Sequence, residues 1–443
     1  MSKEKFNVNV FFGYNKLMKN FYLKSMGCKS NQFEGAIIEE KLAAADFKKV
    51  DKIEDADIYI LNSCSVTQKS DNEALYLLRN AKHLNSKIKT LITGCVAQIE
   101  KEKLLQNDFI DFVLGNDDKL EIVEFLNKNI QYQVIDVMDM SDFHEAILAD
   151  TAKTRASLKI QDGCDNRCAY CIIPFARGKS RSASSNFVIE QIKSFELSGF
   201  KEVVFTGIHI GQWGKEWGKS ILDLLKEVEQ HTSIRYRLGS LNPLEITDEL
   251  LEFLSKSEQF CPHFHLSLQS ACNRTLERMN RFYKVEDYLK QIDKINSIFN
   301  LPFLGSDIIA GFVGESEEDF KITVENLNKS GLSAIHTFPY SIRKGTQAEK
   351  MEGHLPDKIK EQRANIIKGI SAKKTKEFLQ KNLETIHNCV IEKHFDKKTG
   401  KLKGLTENYI RVIVESNDKN LLNSMQKIKI TRIKNNQAFA EIV

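Results

Sequence analysis

Ile160-Gln-Asp-Gly-Cys164-Asp-Asn-Arg-Cys168-Ala-Tyr-Cys171-Ile-Ile-Pro174 is the part of this sequence from which the rest is best understood. Its cysteines follow a C-x3-C-x2-C pattern in a polar turn, directly after a short strand-like run. Thiolates this close on one loop can hold a single iron–sulfur cube, and three ligands leave one of its irons open. A structural zinc site would need a fourth Cys or His nearby, and an odd number of thiols cannot pair within the loop. Cluster binding is favoured, with zinc or plain buried thiols as the alternatives.

The same cysteine spacing resembles that of the radical S-adenosylmethionine (SAM) enzymes. The resemblance implies that the open iron binds the amino and carboxylate groups of SAM. It also implies that Tyr170, the aromatic residue just before the third cysteine, contacts this cofactor.

Composition limits the class of protein. At 443 residues the chain is too long for one hydrophobic core, so two to three domains are expected. The hydrophobic fraction of 42% and charged fraction of 28% are those of a globular protein, and no apolar run is long enough to cross a membrane. The polar N-terminus lacks the apolar core of a signal peptide, and translation from Met18 would make residues 1–17 an extension. Nine cysteines in an unexported chain indicate metal binding or catalysis in the cytoplasm.

The net charge of +4 is unevenly distributed. From Pro356 to Val443 there are 19 Lys and Arg against 10 Asp and Glu, a surplus of nine, so the remainder carries about −5. A basic C-terminal segment predicts a polyanionic partner, RNA first among them. A solvated Lys-rich surface is the alternative.

Residues 20 to 127 alternate between strand and helix patterns, which predicts an open parallel α/β sheet. Cys28, Cys64 and Cys95 each come a few residues after a predicted strand and before a helix. Loops at the carboxyl ends of parallel strands share one edge, so these cysteines should converge there, facing helix N-termini that stabilise thiolates. The alternative is three small buried residues in turns.

From Ser157 to Ser341 six further strand–helix units predict a TIM-like barrel, whose chemistry belongs at the carboxyl ends of its strands. The cysteine loop follows the first strand. Gly207 follows the second, where glycine lets backbone approach a ligand, and Asp307 lies in the fifth. The radical SAM resemblance places Gly207 against the methionyl amine and suggests contacts to SAM from Ser267 and Gln269. Strand-end glycines also commonly serve turns, which is the simpler interpretation.

Other residues in the barrel segment have less specific patterns. His263 and His265 alternate along one strand, a spacing compatible with a metal, although packing in a barrel explains it more simply. The basic residues of Phe175-Ala-Arg177-Gly-Lys179-Ser-Arg181 are placed to meet RNA phosphates or the SAM carboxylate, or to lie on a solvated loop. A structural role is expected for the remaining cysteines, Cys261, Cys272 and Cys389.

The C-terminal quarter changes pattern. Residues 356–382 predict a long Lys-rich connecting helix, and residues 383–443 show strand signals separated by polar turns. About sixty residues of this kind suit a small antiparallel β-barrel. Such a basic barrel commonly binds nucleic-acid backbone, with Tyr409 available for stacking.

The whole chain after about Met18 resembles the radical SAM methylthiotransferases. That family joins a cluster-binding domain, a radical SAM barrel and an RNA-binding TRAM domain, and the resemblance implies that Cys28, Cys64 and Cys95 hold an auxiliary 4Fe–4S cluster. Motifs at Ile172–Ser182, Thr206–Gly211 and Ser267–Arg281 look most like the branch acting on N6-threonylcarbamoyladenosine in tRNA. Val313 and Ala271 depart from the expected Pro and Gly, and leave the ligands intact.

The resemblance implies a reaction in which a radical from SAM removes hydrogen from C2 of the adenine. The auxiliary cluster then supplies sulfur and a second SAM supplies the methyl group, with electrons from a flavodoxin- or ferredoxin-type donor. Both cofactors do the chemistry, so no side chain is assigned a catalytic role. The alternatives are isopentenyl-adenosine of tRNA or an aspartate of a ribosomal protein as substrate, and a non-catalytic iron–sulfur RNA-binding protein.

The predicted segments are an extension (1–17), an auxiliary cluster domain (18–138), a linker (139–155), a radical SAM barrel (156–355), a connecting helix (356–382) and a TRAM domain (383–443).

Overall fold

A computed structural model describes residues 19–128, 130–146 and 154–443. The described chain forms two units, one extending to residue 139 without 66–68, and the other made of 66–68 and the residues from 140 onward. The extension predicted for residues 1–17 lies outside the described residues, as does part of the linker predicted for 139–155. None of the described helices is both long and apolar enough to span a membrane.

The first unit contains a six-stranded sheet in which every neighbouring pair is parallel. Its central strand, Ile58–Ser63, is buried along its whole length because helices cover both faces, as continuous apolar strands require. The strand order is β2-β1-β3-β4-β5-β6. The elements are β1 (Asn20–Ser25), α1 (Lys29–Ala44), β2 (Lys48–Lys49), β3 (Ile58–Ser63), α2 (Gln68–Leu84), β4 (Lys89–Gly94), α3 (Cys95–Ile99), α4 (Lys101–Leu104), β5 (Phe112–Leu114), α5 (Ile122–Asn127) and β6 (Tyr132–Gln133).

The second unit begins with the predicted barrel of parallel strands and surrounding helices. Its strands form two hydrogen-bonded groups, β11-β10-β7 and β12-β13-β14-β15, which meet at Gly239. The backbone of Gly239 packs closely against the carbonyl of Phe205. A Cβ on residue 239 would lie only 2.9 Å from that oxygen. The elements are β7 (Ala156–Lys159), β8 (Gln161–Asp162), α6 (Ile173–Arg177), β9 (Arg181–Ser182), α7 (Ser185–Leu197), β10 (Glu202–Thr206), α8 (Ile221–His231), β11 (Arg235–Leu238), β12 (Ser240–Leu241), α9 (Asp248–Lys256), β13 (His263–Leu266), α10 (Asn273–Arg278), α11 (Val285–Ile298), β14 (Phe303–Ala310), α12 (Glu317–Lys329) and β15 (Ala334–Pro339).

This barrel is open in the described part of the chain, since no pairing joins β7 to β15. The α/β class predicted from the sequence is confirmed in both units.

The chain ends in a closed five-stranded barrel, reached through the single helix α13 (Asp357–Lys381). Its strands are β16 (Ile386–Ile391), β17 (Leu402–Thr406), β18 (Arg411–Val414), β19 (Met425–Lys434) and β20 (Gln437–Ile442). All neighbours are antiparallel except β18 and β20, which pair in parallel and close the barrel. The prediction of an antiparallel barrel is therefore right for four of the five pairs.

The sequence from Lys403 to Val414 has the pattern of one continuous strand, and the structure shows that this interpretation is wrong. The run from Lys403 to Val414 is a hairpin of β17 and β18, because the chain turns between Thr406 and Ile410. Tyr409 lies in this turn with a φ of +69°. Its ring packs at 4.2 Å from that of His263 and 5.2 Å from that of Phe303, so it plugs the amino-terminal end of the parallel barrel. The expectation that Tyr409 stacks on RNA is not met.

Candidate iron–sulfur sites

The C-x3-C-x2-C loop leaves β8 at Gly163, whose φ of +69° favours glycine. A Cβ at this position would also overlap the carbonyl of Lys179. The loop's thiols are half-buried, and none forms a disulfide. Burial raises the pKa of the Cys171 thiol to about 12, and the nearby Cys168 and Cys164 act in the same direction. The three thiols lie close enough on one loop to interact electrostatically, as the ligands of a single iron–sulfur cluster must. Binding of the cluster would displace their protons.

Gln161 connects this loop to the next strand-end loop. Its side-chain nitrogen donates to the carbonyl of Gly163 at 2.8 Å, and its side-chain oxygen accepts from the backbone N–H of Ile208 (3.1 Å) and of His209 (2.7 Å). A Cβ on residue 207 would lie only 2.8 Å from the Gln161 carbonyl. The two loops can approach this closely because residue 207 is glycine.

His209 lies between the cluster loop and a carboxylate. Its Nδ1 is 3.5 Å from Cys164 Sγ, and its Nε2 is 2.5 Å from Glu245 Oε1. Burial disfavours the charged imidazole, but the hydrogen bonds with Cys164 and Glu245 outweigh it and raise the pKa of His209 to about 9. Gly211 leaves room for this carboxylate, which a Cβ would overlap. A protonated imidazole here offsets thiolate charge.

A second cation, Arg281, contacts the loop from the other side. Its Nη1 is 3.4 Å from Cys168 Sγ, and its Nη2 donates to the Ser267 carbonyl at 2.9 Å. The Tyr283 hydroxyl also donates to that carbonyl, at 2.7 Å. The guanidinium therefore joins the cluster loop to the end of β13, and its fixed charge favours an anionic cluster.

The basic residues after the cysteines have a structural role. Arg177 is 1% exposed and donates from Nη1 to both carboxylate oxygens of Asp162, at 2.9 and 3.1 Å. Arg181 is also buried and donates to the carbonyls of Arg177 and Lys179. The expectation that Arg177 and Arg181 meet RNA phosphates is wrong, because their guanidinium groups are used inside the protein.

The residues expected to contact SAM lie around the carboxyl ends of the barrel strands. Tyr170 packs edge-on against Phe312, with ring centroids 6.4 Å apart. Gln269 has a φ of +70°, and its backbone N–H donates to the Asp307 carbonyl at 2.8 Å. The Asp307 carboxylate lies deeper along β14, where Nε2 of His265 is 2.9 Å away. Gly207 and Ser267 adjoin the cluster loop through the Gln161 and Arg281 contacts.

The cysteines of the first unit follow three adjacent strands. Cys28 precedes α1 after β1, Cys64 follows β3 directly, and Cys95 begins α3 after β4. Because β1, β3 and β4 are neighbours, the cysteines lie at one carboxyl edge, as their sequence positions predict. Gly27, with a φ of +79°, brings this edge together, since a Cβ on it would lie 2.5 Å from Cys64 Sγ. Cys28 is exposed, whereas Cys64 and Cys95 are buried.

A buried polar chain reaches the third of these thiols. Nδ2 of Asn116 is 3.7 Å from Cys95 Sγ, and its Oδ1 accepts from Nζ of Lys119 at 2.9 Å. Lys119 in turn pairs with Glu34 on α1, and both side chains are almost fully buried. Sequence reasoning missed these residues, since only the fold brings α1 and the loop after β5 to the cysteine edge.

Family models match both units of the chain. Residues 20–115 match the model described as "Uncharacterized protein family UPF0004", and residues 158–327 match the radical SAM superfamily. The chain is 36% identical over 397 residues to the threonylcarbamoyladenosine tRNA methylthiotransferase MtaB of Aquifex aeolicus, covering 88% of this chain and 95% of the relative.

Other relatives differ in their named substrate. The chain is 34% identical to MtaB of Thermotoga maritima, over 89% of this chain and 91% of that one. It is 30% identical to a tRNA-2-methylthio-N(6)-dimethylallyladenosine synthase of Clostridium tetani, over 93% and 94%. Among solved structures, the radical SAM methyltransferase TsrM of Kitasatospora setae shares the fold, with a TM-score of 0.53 and 11% identity over 72% of this chain and 75% of that one.

Proposed function

This chain belongs to the radical SAM methylthiotransferases, and on that premise we propose that it places a methylthio group on C2 of N6-threonylcarbamoyladenosine in tRNA. As a member of the family it is an enzyme that transfers methylthio groups, and its cofactors are 4Fe–4S clusters and SAM. The substrate assignment is supported by relatives of that name at 31 to 36% identity over most of the chain.

The observation that carries the proposal is the pair of three-cysteine sets. We propose that Cys164, Cys168 and Cys171 hold the cluster that binds SAM, and that Cys28, Cys64 and Cys95 hold the auxiliary cluster. When bound, these groups supply the radical that removes the C2 hydrogen, the sulfur and the methyl group. The protein's own contribution is positioning: Gln161 joins the two rim loops, and His209 and Arg281 offset thiolate charge.

We propose that SAM is held by Tyr170, Gly207, Ser267, Gln269 and Asp307. Gly207 lies next to the cluster loop, since a Cβ on it would be 2.8 Å from the Gln161 carbonyl. The Asp307 carboxylate accepts a hydrogen bond from Nε2 of His265 at Oδ2, and its oxygens keep further lone pairs for a ligand group.

The partners follow from the same reaction. We propose that the C-terminal barrel is a TRAM domain that binds the tRNA backbone, since residues 383–443 carry 11 basic against 7 acidic side chains, and the connecting helix adds to this surplus. A flavodoxin- or ferredoxin-type protein would supply the electrons. The enzyme would work in the cytoplasm, where its tRNA substrate is made and its thiols remain reduced.

Mass spectrometry of nucleosides from total tRNA, with and without this gene, tests the substrate. Loss of the 2-methylthio form of threonylcarbamoyladenosine, with accumulation of its unthiolated precursor, is the expected result. Loss of the isopentenyl analogue alone would move the activity to the second substrate named by the relatives. If neither nucleoside changed, the tRNA assignment would fail and the ribosomal-protein reaction would be tested next.

A further inference from the structure

The strands β13, β14 and β15 present one face to the helices and the opposite, inner face to the interior of the open barrel. Phe264 packs against Phe299 at the end of α11, with ring centroids 5.1 Å apart, so the alternate residue His265 lies on the inner face. Asp307 pairs in register with His336, which places both of these side chains on the same inner face. The imidazoles of His265 and His336 and the carboxylate of Asp307 therefore meet on the inner face.

The contacts fix the orientation of His336. Nε2 of His265 is 2.9 Å from Asp307 Oδ2, and Nδ1 of His336 is 3.6 Å from Asp307 Oδ1. Gly305 makes this cluster possible, since a Cβ on it would lie 3.0 Å from Nδ1 of His265. The carboxylate thus lies at ion-pair distance from Nδ1 of His336, whose side chain is 59% exposed and leaves Nε2 available to a ligand. The same contact raises the pKa of His336, which favours a proton on both nitrogens.

The composition of the cluster resembles a metal site, but its surroundings do not. The three side chains bring their ligand atoms within 4.8 Å of one another. Histidines that bind metals almost always donate their other ring N–H to a carboxylate, carbonyl or water. Within the described residues, neither Nδ1 of His265 nor Nε2 of His336 has such a partner. The arrangement is better suited to offering a donor to a ligand.

An exposed aromatic ring stands beside that donor. Phe338 lies two residues beyond His336 on β15, and so on the same inner face, and it is 48% exposed. Proteins recognise unstacked bases by combining an aromatic ring for stacking with a donor to the base edge. The inner face also carries Ser267, whose carbonyl is bonded to the Arg281 that contacts Cys168. The ring and the donor therefore belong to the same face as the cluster loop.

We propose that Phe338 and His336 hold the target adenine, with its ring stacked on Phe338 and Nε2 of His336 donating to a ring nitrogen beside C2. C2 of adenine lies between N1 and N3, so a donor to either nitrogen fixes the carbon whose hydrogen must be removed. In this arrangement Asp307 is a positioning residue that holds His336. The inference rests on the proposed function, because it assumes an adenosine substrate that reacts at C2.

The test uses the full-length enzyme with both clusters loaded, SAM, a reductant, and tRNA carrying threonylcarbamoyladenosine. Product nucleoside and 5′-deoxyadenosine are both quantified. We expect His336→Ala and Phe338→Ala each to lower kcat/KM for product about tenfold, the scale of one lost stacking or hydrogen-bond contact. The amount of 5′-deoxyadenosine formed without RNA should stay at the parental level, because in both variants Asp307, the proposed SAM contact, keeps its hydrogen bond with His265. Phe338→Tyr and His336→Gln, which keep a ring and a donor, should recover much of the loss.

His231→Ala and Leu197→Ala are matched controls, because they remove an exposed imidazole and an exposed apolar side chain from outer helices of the same unit. Parental product formation by both His336→Ala and Phe338→Ala would overturn the inference. So would an equal loss of product and of RNA-independent 5′-deoxyadenosine, which would indicate a structural role. One zinc ion bound per parental chain and lost in His336→Ala would identify a metal site instead. If the parental enzyme made no methylthiolated nucleoside, the proposed function itself would fail.

Discussion

Glu202, the first residue of β10, carries a fully buried carboxylate at the amino-terminal end of the barrel. Its Oε2 is 2.7 Å from Arg235 Nη2, and its Oε1 is 3.2 Å from Arg237 Nε. The two guanidinium groups also donate to backbone carbonyls of the C-terminal barrel, among them those of Leu405 and Thr406. One carboxylate is therefore the shared counter-ion of two cations that join β11 to β17.

Glu202→Gln should destabilise this unit by about 3 to 5 kcal/mol at neutral pH, because it leaves two buried guanidinium groups without their counter-ion. Burial alone would raise the pKa of Glu202, but Arg237 and Arg235 outweigh it and lower the pKa to about 2. The depressed pKa means that the stabilisation is complete above the unfolded value of about 4.3 and is lost as pH falls toward 2. Urea unfolding of cluster-free chain should show this acid loss in the parent and a weaker one in the variant. Equal stability of the two proteins at neutral pH would contradict the prediction.

The positions of single functional residues were predictable where their spacing, or their place after a strand, is visible in the sequence. The cysteine spacing, and the positions of Cys28, Cys64 and Cys95 after strands, were enough to place both sets at strand ends. Partners across the barrel were not predictable, because they depend on register: His336 meets Asp307 only through the pairing of β14 with β15. Arg177 looked like a surface cation because its partner Asp162 lies across a turn whose geometry the sequence does not give.

At the scale of an element, the turn between β17 and β18 acts as a plug. Tyr409 packs against His263 and Phe303, and the guanidinium of Arg237 lies 5.1 Å from its ring centroid. Tyr409→Ala should lower stability by about 2 kcal/mol through lost aromatic packing. Since this ring faces protein, the affinity of the folded variant for tRNA should match the parent in a filter-binding assay. A large loss of RNA affinity with unchanged thermal unfolding would contradict this assignment.

Helix α13 was predicted with bounds close to those observed, whereas the two-residue outer strands β2 and β6 were not predicted, because they are too short to show a pattern. The hairpin at Tyr409 was missed, since Glu407 and Asn408 interrupt an otherwise continuous strand pattern without a Gly or Pro to mark the turn. A positive φ at a tyrosine is uncommon, and here tertiary packing outweighs the local preference.

At the scale of the whole molecule, the two cysteine sets should be separable by substitution. Replacing Cys164, Cys168 and Cys171 with Ala should remove about half of the bound iron and abolish reductive cleavage of SAM. Replacing Cys28, Cys64 and Cys95 should also remove about half of the iron, yet leave 5′-deoxyadenosine formation intact while product formation stops. Iron analysis and chromatography of the two products check this, with Cys389→Ala as a buried cysteine control. Loss of all iron from either triple variant would show that the sites are not independent.

The parallel pairing of β18 with β20 has a consequence for synthesis on the ribosome. β20 is made after the other four strands of this barrel, yet it lies between β18 and β19. Until Gln437 to Ile442 leave the exit tunnel, both neighbours expose unpaired edges, the feature by which nascent chains associate wrongly. The barrel can therefore close only after Gln437 to Ile442 have been synthesised.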